Sequence, residues 1–94
     1  MYISDKQKGY NMRKPILIYT LSTCVHCKST KKLLDKCSMT YEFIDVDLLI
    51  GEAQKAVLED VKKYNPECSF PTIIIGDKVI IGFRENEIRQ ELGL

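Results

Sequence analysis

Apolar residues gather first at positions 15–20, Pro-Ile-Leu-Ile-Tyr-Thr, an unbroken run that predicts a strand buried on both faces. Pro15 stands at its entrance, where a missing N–H costs the ladder least. From Cys24 the period lengthens to that of a helix: Cys27, Thr30, Leu34 and Cys37 recur on one face, while Lys28, Lys31, Lys32 and Asp35 fill the other. Residues 40–46 return to strict alternation, with Tyr41, Phe43 and Asp45 on one side of a strand and Glu42, Ile44 and Val46 on the other. A second helix follows from about Ile50 to Tyr64, with Ala53, Val57, Val61 and Tyr64 as its inward stripe. Asn65-Pro66 ends it, because the residue before proline is pushed out of helical geometry.

The β-rich runs Thr72–Ile75 and Lys78–Gly82 are separated by Gly76-Asp77, a short glycine-containing connection that signals a hairpin. A last helix, from about Glu85 to Leu92, turns Ile88 and Leu92 inward. The order is β-α-β-α-β-β-α. The first two strands, joined through a helix, should be parallel with a right-handed crossover.

Length and composition add limits rather than detail. Ninety-four residues make one domain with one small core. Hydrophobic residues at 45 % and charged residues at 29 % match an ordinary globular chain, and a net charge of +1 points to neither nucleic acid nor an anionic membrane. Residues 1–12 are expected to form a flexible tail ahead of a domain over 13–94, and no signal-peptide pattern is visible in them. A cytoplasmic location is therefore expected, where thiols stay reduced. Cys24, Cys27, Cys37 and Cys68 then point to catalysis or metal binding in preference to a structural disulfide framework.

Cys24-Val25-His26-Cys27 falls where the first strand gives way to the first helix. A sulfur at a helix N-terminus meets unpaired backbone N–H groups and the positive end of the helix dipole, which favour thiolate over thiol. Cys24, the more N-terminal and exposed, is the candidate nucleophile. Cys27 lies three residues on along the same face, close enough to resolve a mixed disulfide formed at Cys24. His26 is a candidate tuning residue, since an imidazolium nearby would favour the reduced couple; its alternative is an ordinary exposed histidine. Downstream, Pro71 heads the most β-prone run of the chain, which suits the first residue of a strand and a cis bond.

With Ile18-Tyr19-Thr20 before the cysteine pair, Phe70-Pro71-Thr72 opening the hairpin and Gly82-Phe83 closing it, the chain resembles the glutaredoxin branch of the thioredoxin superfamily from about Lys14 to Leu94. The resemblance implies an α/β thioredoxin-like fold with a four-stranded mixed sheet in order 2-1-3-4 flanked by three helices. It also implies a cis Phe70-Pro71 bond facing the redox pair, with Thr23, Phe70, Pro71, Thr72, Gly82 and Phe83 at the substrate. The implied function is reduction of protein or small-molecule disulfides; the chain is separately expected to be a monomer without a cofactor. Leu21 stands where glutathione-using members usually carry lysine, and Gly82-Phe83-Arg84-Glu85-Asn86 replaces their Gly-Gly-x-Asp-Asp-like segment. Gly-Phe-Arg is instead similar to the glutaredoxin-like hydrogen donors of ribonucleotide reductase. The expected electron donor is thus a thioredoxin-reductase-type flavoenzyme or another dithiol, with glutathione in doubt.

Other readings attach to the remaining residues. Cys37, on the inward stripe, reads as a small hydrophobe. Cys68, three residues before Pro71, could be a third thiol facing the pair or a packed loop residue. The rival function is a zinc or iron–sulfur protein using Cys24, Cys27 and Cys68 with His26 or Cys37. No second C-x-x-C or C-x-x-H pair is present to close such a site.

Overall fold

A computed structural model describes residues 14–93. The expected tail, residues 1–12, lies outside them. Strand β1 (Ile16–Thr20) leads into helix α1 (Val25–Lys36), then β2 (Glu42–Asp45), a short 3-10 helix (Val46–Leu48) and α2 (Gly51–Tyr64). The hairpin β3 (Thr72–Ile75) and β4 (Lys78–Ile81) and helix α3 (Glu85–Leu92) complete the chain. The sheet order is β2-β1-β3-β4, with β1 parallel to β2 and antiparallel to β3, as the pattern and the resemblance imply.

Strand β1 is central and is covered on both faces. Ile16 and Ile18 point to one side, where Ile73, Ile75 and Ile80 continue the row across the sheet and Leu33, Leu34 and Ile88 close over it from α1 and α3. Leu17 and Tyr19 point to the other, against Val57, Leu58 and Val61 of α2. Each fully buried aliphatic side chain stabilises the fold by roughly 1.5–3 kcal/mol, so this double layer is the main source of cohesion.

The inward stripe of α2 differs from the alternation in the sequence. Ala53 is exposed and Tyr64 is 44 % exposed, while Gln54 and Leu58 turn inward beside Val57 and Val61. Gln54 is drawn in by the 3-10 helix that precedes α2: its side-chain amide donates to the carbonyls of Val46 (3.1 Å) and Leu49 (2.9 Å). Strand β2 is shorter than residues 40–46 because the chain coils at Val46 to reach α2. Lys31 also departs from the outer face of α1. Its ammonium lies 3.8 Å from the centroid of the Phe43 ring and 3.3 Å from Asp45.

Helix α1 ends without glycine. Ser38 takes the left-handed conformation (φ 58°), its N–H donates to Asp35 O and the Met39 N–H to Leu34 O, the paired bonds of a Schellman motif. Met39 then packs on the core beside Leu34. Helix α2 stops at Asn65, which does more than end it. Asn65 is 2 % exposed, and its amide nitrogen lies within bonding distance of Ser69 O (3.0 Å), Ser69 Oγ (2.9 Å) and Thr72 Oγ1 (3.1 Å). Its carbonyl oxygen accepts from the Glu67 N–H (3.2 Å), and the Thr72 hydroxyl donates to Ser69 O (2.8 Å). This network ties the loop 65–71 to the start of β3.

Asn65→Ala removes the hub, with its bonds to Ser69, Thr72 and the Glu67 N–H, which costs about 1–3 kcal/mol. The expected outcome is a lower urea midpoint with an unchanged slope; an unshifted midpoint would show that water replaces the amide without penalty.

Candidate redox site

The loop from β1 to α1 is Leu21-Ser22-Thr23-Cys24. Cys24 occupies the N-cap of α1 with extended backbone (φ −80°, ψ 123°), and its Sγ accepts the Cys27 N–H at 3.3 Å. Sulfur here takes the part that a serine or aspartate oxygen plays at most helix starts. The remaining orphan N–H groups and the helix dipole act on the same atom.

Cys27, three residues further on, is wholly buried, and its Sγ accepts the Leu21 N–H at 3.5 Å. Both thiols are free, Cys24 half-buried and Cys27 buried. Burial pushes the Cys27 thiol up to about 12, and a hydrogen bond with Cys24 adds to the rise. The two sulfurs thus differ sharply in surroundings: one sits at a polar helix end within reach of solvent, the other in an apolar interior that holds its proton.

Sheet register brings the other elements to this end. Thr20 pairs with Asp45 on β2, and Tyr19 with Thr72 on β3, which puts Pro71 across from Thr20. Thr72 in turn pairs with Ile81, and the Gly82 N–H donates to Pro71 O at 2.8 Å. Asp45, Thr20, Pro71 and Gly82 therefore form a row across the sheet, immediately below the cysteine loop. The Phe70-Pro71 bond is cis, as expected. Gly82 has φ 87° and a side chain there would meet open space, so main chain is presented at this point.

Thr23 and His26 are exposed, and Phe70 is half-buried against the α2-side cluster. Two of the expected substrate residues turn their side chains away. Thr72 is fully buried with its hydroxyl spent in the Asn65 network, and the Phe83 ring packs on the core. Cys68 adopts φ 53° and packs, partly buried, beside the Tyr19, Val46 and Val61 cluster, and Cys37 packs on the other core. Among the described residues no three His, Cys, Asp or Glu side chains come together to hold a metal ion, so the zinc or iron–sulfur reading finds no support.

Asp47 was not legible as part of this site. Its carboxylate takes the Ser22 N–H (2.8 Å) and the Ser22 hydroxyl (2.5 Å), clamping the loop that leads to Cys24. Those bonds hold the Asp47 carboxyl below the usual carboxylate range. Beside it, the Thr20 hydroxyl donates to Asp45, which also receives Lys31. The signal lay in topology: parallel β1 and β2 end side by side, so acids after β2 fall next to the loop after β1.

A family model described as Glutaredoxin matches residues 16–80. The chain belongs to the glutaredoxin family. Glutaredoxin 1 of Rickettsia prowazekii is 37 % identical over 67 residues, covering 71 % of this chain and 66 % of that relative, so the chain spans just under two thirds of its length. The glutaredoxin-like protein NrdH of Salmonella typhimurium is 28 % identical over 75 residues, covering 80 % and 85 % of the two chains. Among solved structures, the methanoredoxin of Methanosarcina acetivorans superposes with a TM-score of 0.83 at 47 % identity over 87 % of each chain. A cysteine pair at a helix start on a thioredoxin-like fold, and membership of the glutaredoxin family, thus stand for this chain. Among the described residues no helix is long and apolar enough to cross a membrane.

The raised Cys27 thiol sets a pH dependence. Below about pH 9 folded and unfolded reduced chains both hold its proton. Between about pH 9 and about pH 12 the unfolded chain releases that proton and the folded chain keeps it, so stability falls as pH rises. Urea titrations of the reduced protein from about pH 8 to about pH 11 should show wild type losing up to about 1.4 kcal/mol per pH unit more than Cys27→Ala. Parallel pH profiles for the two proteins would show that Cys27 titrates normally.

Proposed function

We propose that this glutaredoxin-family chain is a dithiol thiol–disulfide oxidoreductase that reduces protein disulfides through Cys24 and Cys27. The observation that carries the reading is the contrast between the sulfurs: Cys24 at the helix N-cap and half-buried, Cys27 one turn inside, buried and protonated.

The Cys24 thiolate attacks one sulfur of the substrate disulfide, forming a mixed disulfide and expelling the other substrate sulfur as a thiolate, which takes a proton from solvent. Cys27 then attacks Cys24 Sγ, its proton passing to the second substrate sulfur as that sulfur leaves. Two electrons have moved to the substrate, and the protein holds a Cys24–Cys27 disulfide. Thr23, the Phe70–Pro71 main chain and the open face of Gly82 line the approach to Cys24, while Thr72 and Phe83 support that surface from beneath. His26, exposed two residues after Cys24, tunes the couple. Such a cycle belongs in a compartment that keeps thiols reduced, as the cytosol does.

Cys27→Ser should trap substrate on Cys24 as a stable mixed disulfide seen by intact mass, and Cys24→Ser should be inactive in protein disulfide reduction. Near-normal turnover by Cys24→Ser would end the assignment.

The electron donor we propose is a thioredoxin-reductase-type flavoenzyme or another dithiol. The Leu21 side chain packs against the α2-side cluster, so no cation stands at that position. The Arg84 guanidinium is already held by Ile81 O (3.1 Å) and Glu87 (3.4 Å). Each charge-assisted contact absent at glutathione's charged ends is worth about 1.5–3 kcal/mol, roughly 10- to 150-fold in affinity. In a coupled NADPH-oxidation assay with one disulfide substrate, the flavoenzyme or a dithiol should support turnover at least about tenfold better than glutathione with glutathione reductase. Efficient turnover at millimolar glutathione would reverse this choice of donor.

A further inference from the structure

A ladder of lysines runs down α1 from the proposed nucleophile. Lys28, Lys32 and Lys36 follow Cys24 at intervals of four residues, which the helical rise places about 6, 12 and 18 Å along the axis. All three are exposed, and among the described residues none is in an ion pair. The other charges of this helix are engaged: Lys31 by Asp45 and Phe43, and Asp35 by the Tyr41 hydroxyl (3.0 Å).

Because four residues slightly exceed one helical turn, the ladder winds around α1, and its lower members reach the seam with α3. There Lys32 and Lys36 border a groove of about 240 Å³ floored by Leu33 and Phe83. On the far wall Arg89 is neutralised by Glu85 at 2.9 Å, so the groove's net positive charge comes from the two lysines. The chain as a whole is nearly neutral, so the charge is local to this face.

We propose that this ladder and groove form a docking surface for an acidic segment flanking the reducible cysteine of a substrate protein, with one apolar side chain seated over Leu33 and Phe83. The inference rests on the thiol–disulfide exchange proposed above and names the class of substrate it favours. A carboxylate-rich segment fits because the ladder begins at the sulfur that attacks. The same contact that binds the substrate therefore brings its disulfide to Cys24. Charge at such a rim acts chiefly on association and is weakened by salt.

The test uses the full chain and disulfide peptides of one length whose flanks are acidic, neutral or basic, with hydroxyethyl disulfide as a small uncharged control. The acidic peptide should be reduced with kcat/KM about tenfold above the basic one at low ionic strength, mainly through KM, with the gap closing near ~0.5 M salt. The triple variant Lys28→Glu, Lys32→Glu, Lys36→Glu should invert the order, and the triple glutamine variant should abolish it, both keeping the wild-type rate on hydroxyethyl disulfide. Equal kcat/KM across the peptides, with the small disulfide reduced normally, would overturn the docking surface alone. So would inhibition of peptide reduction by a single-stranded oligonucleotide without any preference for acidic flanks, which would assign the ladder to nucleic acid. Failure to reduce any of the disulfides, the small one included, would overturn the exchange reading beneath it.

Discussion

The register of β1 against its neighbours is the constraint from which the site follows. A strand buried on both faces cannot slip by one residue without exchanging Ile16 and Ile18 for Leu17 and Tyr19 across the sheet, so hydrophobic packing fixes it firmly. Once it is fixed, its last residue, Thr20, must lie beside Asp45 and opposite Pro71. The cysteine loop leaves from that residue. Packing energy spread over two cores is thereby converted into the position of two sulfur atoms.

Above that row, a single turn of helix separates two environments. The N-cap offers Cys24 backbone dipoles that are already oriented, and the interior offers Cys27 an apolar medium with little to stabilise charge. The difference between the two sulfurs arises from position on the helix and from depth together. The Ser22–Asp47 clamp and the Leu21 N–H keep the loop from relaxing that difference.

Most of this was legible in the chain because it depends on period and on punctuation. The run 15–20, the shift to helical spacing at Cys24 and the Gly76-Asp77 turn give the order of elements along the chain and the placement of the cysteine pair. The order of strands in the sheet comes from the family resemblance. What escaped depends on contacts between residues distant in sequence or on polar groups used inside. Gln54 reads as a surface residue until two carbonyls of the preceding turn claim it. Asn65 reads as a helix stop until Ser69 and Thr72 converge on its amide. Ser38 carries a left-handed φ that glycine would have advertised. Phe83 reads as a substrate residue, but its half-buried ring packs against the core.

Strand β2 forms one border of the sheet, and its Phe43 is 49 % exposed with the Lys31 ammonium over the ring. Another chain adding itself at that border would have to strip water from a cation before its first ladder bond formed. A bare strand border is a template for aggregation. One lysine laid across one phenylalanine raises the barrier to fibril-like growth there without occupying the end of the sheet that carries Cys24 and Cys27.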